Sequence, residues 1–110
     1  MGITETVRQL TESWLVDDDV RSVQDINNGL CADFANALAD LIPFSEIHGI
    51  YDERDISEVP GEFSKEFREA VSAGMIGHTA IFIDGLFYDS EAPNGVPCFE
   101  QLPLCQRAFP

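Results

Sequence analysis

Apolar residues recur three and four positions apart along three stretches of the chain, while two others alternate. Ile3, Val7, Leu10 and Trp14 share one side of the first stretch. That spacing predicts an amphipathic helix over Thr4–Leu15, with Thr4 as its cap. Asp17-Asp18-Asp19 ends it and opens a loop. In the second stretch Leu30, Phe34, Leu38 and Leu41 recur, with the small residues Ala32, Ala35, Ala37 and Ala39 between them. The pattern predicts a buried central helix over Cys31–Ile42, announced by the turn signal Asn27-Asn28-Gly29 and stopped by Pro43. Phe63, Phe67, Ala70 and Val71 mark a surface helix within Gly61–Ala73, with Gly74 and Gly77 at its exit. Phe44–Tyr51 alternates weakly and predicts a strand, and Asp52–Pro60 reads as a charged loop.

The strongest local signal is a hairpin. His78–Ile83 and Leu86–Asp89 are strand-like runs separated by Asp84-Gly85, a dipeptide suited to a two-residue turn. Such a turn sets Ile83 opposite Leu86, Phe82 opposite Phe87, Ala80 opposite Asp89 and His78 opposite Glu91. Side chains two apart share a face, so His78, Ala80, Asp89 and Glu91 project to one side. Asp89 is then a diagonal neighbour of His78, within side-chain reach. Beyond the hairpin, Pro93, Gly95, Pro97 and Pro103 predict an irregular wrap whose Cys98, Phe99, Leu102 and Leu104 cover the core edge. Together these elements predict one α+β domain over residues 1–110, with a central cysteine-bearing helix packed on a small antiparallel sheet.

This pattern puts chemistry in one place. Cys31 opens a helix, where free N–H groups and a partial positive charge stabilise a thiolate and suit an oxyanion. His78 opens a strand, and Asp89 can orient its ring. The expectation is therefore a triad of Cys31 as nucleophile, His78 as base and Asp89 as orienter, with Glu91 as the alternative orienter. His48 competes for the base role but has no carboxylate fixed beside it by the hairpin. Cys98 and Cys105 lack a helix-start setting and read as packing residues. The same three triad residues could hold a metal, but no paired CxxC or HxxxH spacing supports one, and no phosphate-cradling glycine loop is present. Neither a metal nor a cofactor is expected.

Composition narrows the class. With 110 residues and 45% hydrophobic residues the chain can bury one core. Three cysteines at irregular spacing argue for reduced thiols. Met1–Glu5 lacks a basic start and an apolar run, and nowhere do about 18 apolar residues stand together, so the expectation is a cytoplasmic protein with no membrane partner. Twenty acidic against six basic residues give a net charge of −14. That balance opposes nucleic-acid binding, which needs lysine and arginine against phosphate. It fits a well-solvated acidic surface, a basic partner protein, a high-salt cytoplasm, or a non-catalytic decoy of the phage-inhibitor type that imitates DNA.

Two runs carry a resemblance. Asn28-Gly29-Leu30-Cys31-Ala32-Asp33-Phe34-Ala35 resembles the cysteine-bearing helix of the papain-like superfamily, closest to its transglutaminase-like branch. The run from Gly77-His78 through Asp84-Gly85 to Asp89 resembles that branch's second signature: a histidine opening a strand, a glycine turn, and an aspartate closing the next strand. After the histidine the chain reads Thr79-Ala80-Ile81, where that branch commonly has an aromatic residue. The resemblance implies a thiol hydrolase or acyltransferase acting on a peptide, isopeptide or side-chain amide of a protein or peptide substrate. It also implies an amide shortly before the cysteine as oxyanion donor, for which Gln24 and Asn28 are the candidates.

Overall fold

The computed structural model describes residues 2–16, 22–27 and 29–108. Among them are six α-helices and one three-stranded antiparallel sheet. Helix α1 spans Ile3–Leu15, α2 Val23–Asn27 and α3 Cys31–Leu41. Strand β1 covers Glu46–Ile50, followed by α4 at Glu53–Ile56 and α5 at Lys65–Ser72. Strands β2, His78–Ile83, and β3, Leu86–Tyr88, complete the sheet in the order β1-β2-β3. A 3-10 turn at Phe99–Gln101 and helix α6 at Pro103–Ala108 close the chain.

The hairpin turns where the Asp-Gly pair predicts. Asp84 has φ 52° and Gly85 φ 83°, the left-handed pair that matches the twist of two flanking strands. Ile83 pairs with Leu86, Phe82 with Phe87 and Ile81 with Tyr88. Pairing stops there. The expected pairs Ala80–Asp89 and His78–Glu91 do not form, because the chain turns at Asp89, whose carbonyl accepts the Ala92 N–H at 3.1 Å. On its far edge, Phe87 exchanges backbone hydrogen bonds with Val96 instead. Strand β1 takes the other side of β2, with Ile50 opposite His78 and Gly49 opposite Thr79.

The pleat divides the core in two. On one face Ile50, Ala80 and Phe87 cluster with Phe67, Ala70 and Val71 of α5 and with Phe99, Leu102 and Cys105. On the other, Ile81 and Tyr88 cluster with Phe34, Ala35 and Leu38 of α3, with Val7 of α1 and with Ile26 of α2. Helix α3 therefore covers the sheet with one face only; Ala32, Asp33, Asn36 and Leu41 are exposed, so the helix is not buried all round. Trp14 meets Phe34 edge-on at 5.2 Å, holding α1 against α3.

Several local expectations change. The N-cap of α1 is Gly2, not Thr4. The segment read as a charged loop holds α4, because Asp52 and Asp55 form a capping box that satisfies the helix start from both sides. Helix α5 begins only at Lys65: the Ser64 side chain caps it, accepting the Phe67 N–H, and Glu100 accepts both the N–H and hydroxyl of Ser64 at 2.8 Å. The C-terminal wrap is partly helical. Asp17, Asp18, Asp19 and Asn28 lie outside the described residues. No described helix is long and apolar enough to cross a membrane.

Candidate active site

Cys31 is the first residue of α3, and the N-cap before it, Leu30, offers no side-chain cap. The first-turn N–H groups of a helix have no partner within it, so this end of α3 presents donors beside the thiol. Docking of α3 on the sheet brings that thiol to the start of β2. There it takes a hydrogen bond from the backbone N–H of Thr79 and interacts with the ring of His78. Tyr51, just after β1, places its hydroxyl 3.8 Å from the Cys31 sulfur and 2.5 Å from the Thr79 hydroxyl.

His78 is fully buried, and its Nε2 lies 2.8 Å from Asp89 Oδ2. With Nε2 donating to Asp89, Nδ1 is the ring nitrogen left to hold or release a proton. Nδ1 is buried and makes no hydrogen bond of normal geometry; besides Asp89, the side chain acting on the ring is Cys31. Phe99 packs against the ring at 5.9 Å between centroids. Asp89 is held from both sides: its Oδ1 accepts the Glu91 N–H at 2.9 Å, so the aspartate turn itself aims Oδ2 at the histidine.

The electrostatics follow from these contacts. Burial pushes the Cys31 thiol up, but the nearby ring of His78, the Thr79 N–H, the charge of His78 and the Tyr51 hydroxyl outweigh it and draw the thiol down to about 7. Burial pushes His78 down, yet Asp89 and Cys31 together raise it to about 9. Between those values thiolate and imidazolium coexist, each sustaining the other. Cys105 shows the opposite case: burial, and then the charges of Asp89 and Glu100, push its thiol up to about 12.

Other candidates fall elsewhere. Glu91 does not reach His78; its carboxylate accepts from both guanidinium nitrogens of Arg107, at 2.6 and 2.8 Å, and from Asn27 Nδ2 at 2.9 Å. Burial raises the Glu91 carboxyl, and Arg107 and Asn27 override that and hold it below its ordinary range. His48 lies in β1 against Phe82 and Phe87, with Glu46 3.3 Å from Nε2. Gln24 is on the exposed side of α2. The amide that lines the cleft with Cys31 is Asn27, whose buried Oδ1 has no hydrogen-bond partner among the described residues. Among the described residues no cluster of histidine, cysteine and acidic side chains could hold a metal.

The cleft has a volume of about 520 Å³ and runs between the start of α3 and α6, walled by Gly29, Tyr51, Met75, Gly77 and Leu104. Tyr51 and Asn27 escaped the sequence reading. Tyr51 follows a strand whose pairing was unassigned, and nothing in the apolar pattern says that Gly49, opposite Thr79, opens space for its ring. A Cβ at Gly49 would stand 2.9 Å from that ring, and one at Gly77 3.0 Å.

Alkylation measures this electrostatic arrangement directly. The rate of Cys31 modification by iodoacetamide should reach half its plateau near pH 7. A free thiol near 8.5 would be only about 3% ionised there. Cys105 should stay unmodified in the folded protein. His78→Ala should move the half-point up by about 1–3 pH units. A wild-type half-point at the free-thiol value would mean that the two side chains do not interact.

No known family model, curated protein or solved structure matches the chain at a significant level.

Proposed function

We propose that this protein is a thiol-dependent hydrolase or acyltransferase that opens a peptide, isopeptide or side-chain amide bond. Its mode is that of the papain-like superfamily and closest to the transglutaminase-like branch. The observation that carries the reading is a thiol drawn down to about 7 beside a histidine whose far nitrogen is bonded to a buried aspartate. A structural cysteine has no need of such a partner, and burial alone would send its thiol the other way, as at Cys105.

In the reaction, His78 Nδ1 takes the Cys31 proton while Nε2–H stays on Asp89. The thiolate attacks the carbonyl carbon, and the carbonyl electron pair moves onto oxygen. When the C=O bond re-forms, the C–N bond breaks and the leaving nitrogen takes the proton from Nδ1. Water, or a second amine, then gives a proton to His78 and displaces sulfur from the acyl carbon.

The test is acylation. An activated ester should deposit one acyl group on the peptide that contains Cys31, found by mass spectrometry, and turnover of an amide substrate should follow a bell in pH. Thiolate must be present, so the rising limb lies at about 7; imidazolium must supply the leaving-group proton, so activity falls again at about 9. An unacylated Cys31 would remove the hydrolase reading and leave the acidic interaction protein as the better one.

A further inference from the structure

We infer that Tyr51 is a catalytic residue whose hydroxyl donates the side-chain hydrogen bond to the oxyanion formed when Cys31 attacks a carbonyl. The inference rests on the thiol-hydrolase reading and names a part of it that the triad does not supply. Neither Gln24 nor the buried Asn27 carries this duty by position: Gln24 is exposed on α2, and the Asn27 Nδ2 is engaged by Glu91.

Three observations converge on the tyrosine. First, its hydroxyl is 3.8 Å from the sulfur, on the wall of the cleft that a substrate must enter. An oxygen on the carbon newly bonded to sulfur can lie to one side of the line joining the two, within the about 2.7–3.1 Å of the hydroxyl that an oxyanion donor needs. Second, the hydroxyl is fixed. The Thr79 hydroxyl meets it at 2.5 Å, and Thr79 also gives its backbone N–H to the sulfur. Either hydroxyl can donate in that pair; when Thr79 donates to the phenol oxygen, the phenol hydrogen is free for the reacting centre. Third, the ring is half exposed on the cleft side, and its inner edge lies against Gly49 and Gly77 so closely that a methyl group at either would press on it at 2.9–3.0 Å. Placement before the reaction is what makes such a donor effective, since no reorganisation is needed when charge appears. The phenol also stays protonated where the thiolate exists. Burial, with Cys31 adding to it against the hydrogen bond from Thr79, holds it above its ordinary range.

The sulfur lone pair forms the S–C bond, and the C=O pair becomes an oxyanion held by Tyr51 and the N–H groups at the start of α3. Collapse restores C=O and expels the leaving group.

A paired kinetic experiment on Tyr51→Phe tests the donor. p-Nitrophenyl acetate reads acylation, in which an oxyanion forms and p-nitrophenolate leaves. Iodoacetamide reads thiolate attack at a saturated carbon, in which none forms. Both are compared at the pH plateau, where the thiol is fully ionised in each protein. Tyr51→Phe should slow the acylation burst by about 10²–10³-fold and leave the plateau alkylation rate unchanged. Equal losses in both reactions would show that the hydroxyl only holds the thiol, and would overturn the inference. So would an unaltered burst. Absence of any burst in the wild type, with normal alkylation at pH 7, would remove the hydrolase reading itself and the inference with it.

Discussion

Asp89→Asn should lower turnover by on the order of 10⁴-fold, the scale on which a triad loses rate when its orienting carboxylate is neutralised. The reason is specific to the aspartate turn. One carboxylate oxygen accepts the Glu91 N–H at 2.9 Å and the other meets His78 Nε2 at 2.8 Å. An asparagine has one acceptor for these two places. If its oxygen stays with the Glu91 N–H, its NH₂ faces Nε2. The histidine must then move its hydrogen to Nδ1 and can no longer take a proton from Cys31. If its oxygen turns to His78, the NH₂ opposes the Glu91 N–H and the turn is strained. Either way the negative charge that raises His78 is lost, and with it the imidazolium that stabilises the thiolate. Glu91→Gln should cost far less. It removes the charge that Arg107 and the buried Asn27 hydrogen-bond and leaves the Glu91 backbone N–H on Asp89, a loss of about 1.5–3 kcal/mol of stability that spares the histidine's partner. Turnover numbers and melting curves for the two variants decide the matter. A damaging Glu91→Gln beside a silent Asp89→Asn would mean the orienter is misassigned.

Phe87→Ala should cost about 3–5 kcal/mol, the usual loss for removing a buried phenylalanine ring. Phe87 has no exposure and stands at the centre of the aromatic cluster. Phe82 is 4.6 Å away, Phe99 5.5 Å and His48 6.3 Å between centroids. Domains of this size hold only about 5–15 kcal/mol in all, so the melting temperature should drop by at least about 12 °C. The loss reaches the site as well, because Phe99 bridges Phe87 to the ring of His78. Phe44→Ala is the control: that ring is 97% exposed, and its removal should change stability by no more than about 0.5 kcal/mol. Equal melting temperatures for Phe87→Ala and the wild type would mean that the core is not packed around this ring.

How much of this was legible from the chain depends on how local each feature is. The hairpin could be read because Asp-Gly prescribes its own backbone, and the register then follows by counting from Ile83 and Leu86. The nearness of His78 and Asp89 followed from that register. Its cause did not: the aspartate is held by a turn that begins one residue after pairing ends, and side-chain hydrogen bonds of that kind leave no periodic trace. Helix α4 was missed for the same reason, since a capping box of two aspartates looks like an ordinary acidic loop. Tyr51 required the pairing of β1 with β2, which joins residues about thirty positions apart, and alternation within a single strand does not specify its neighbour. That Asn27 and not Gln24 lines the cleft was equally invisible, because α2 is too short for its faces to be told apart by pattern.

The two halves of the site also differ in what must happen before they exist. His78 and Asp89 are 11 residues apart, and their contact spans one tight turn. A hairpin of that kind closes in about 1–10 μs. The sulfur of Cys31 has no such neighbour along the chain. Its partners Tyr51, just after β1, and Thr79, in β2, meet it only after α3 has settled on the assembled sheet. A chain still being made, or one partly opened, therefore carries an ordinary, sluggish thiol even when its hairpin is complete. Nucleophilicity is a property of the finished tertiary structure, and the same docking that buries Phe34 and Leu38 turns it on. For the hydrolase proposed above, incompletely folded copies would in this way be kept from attacking the carbonyl groups around them.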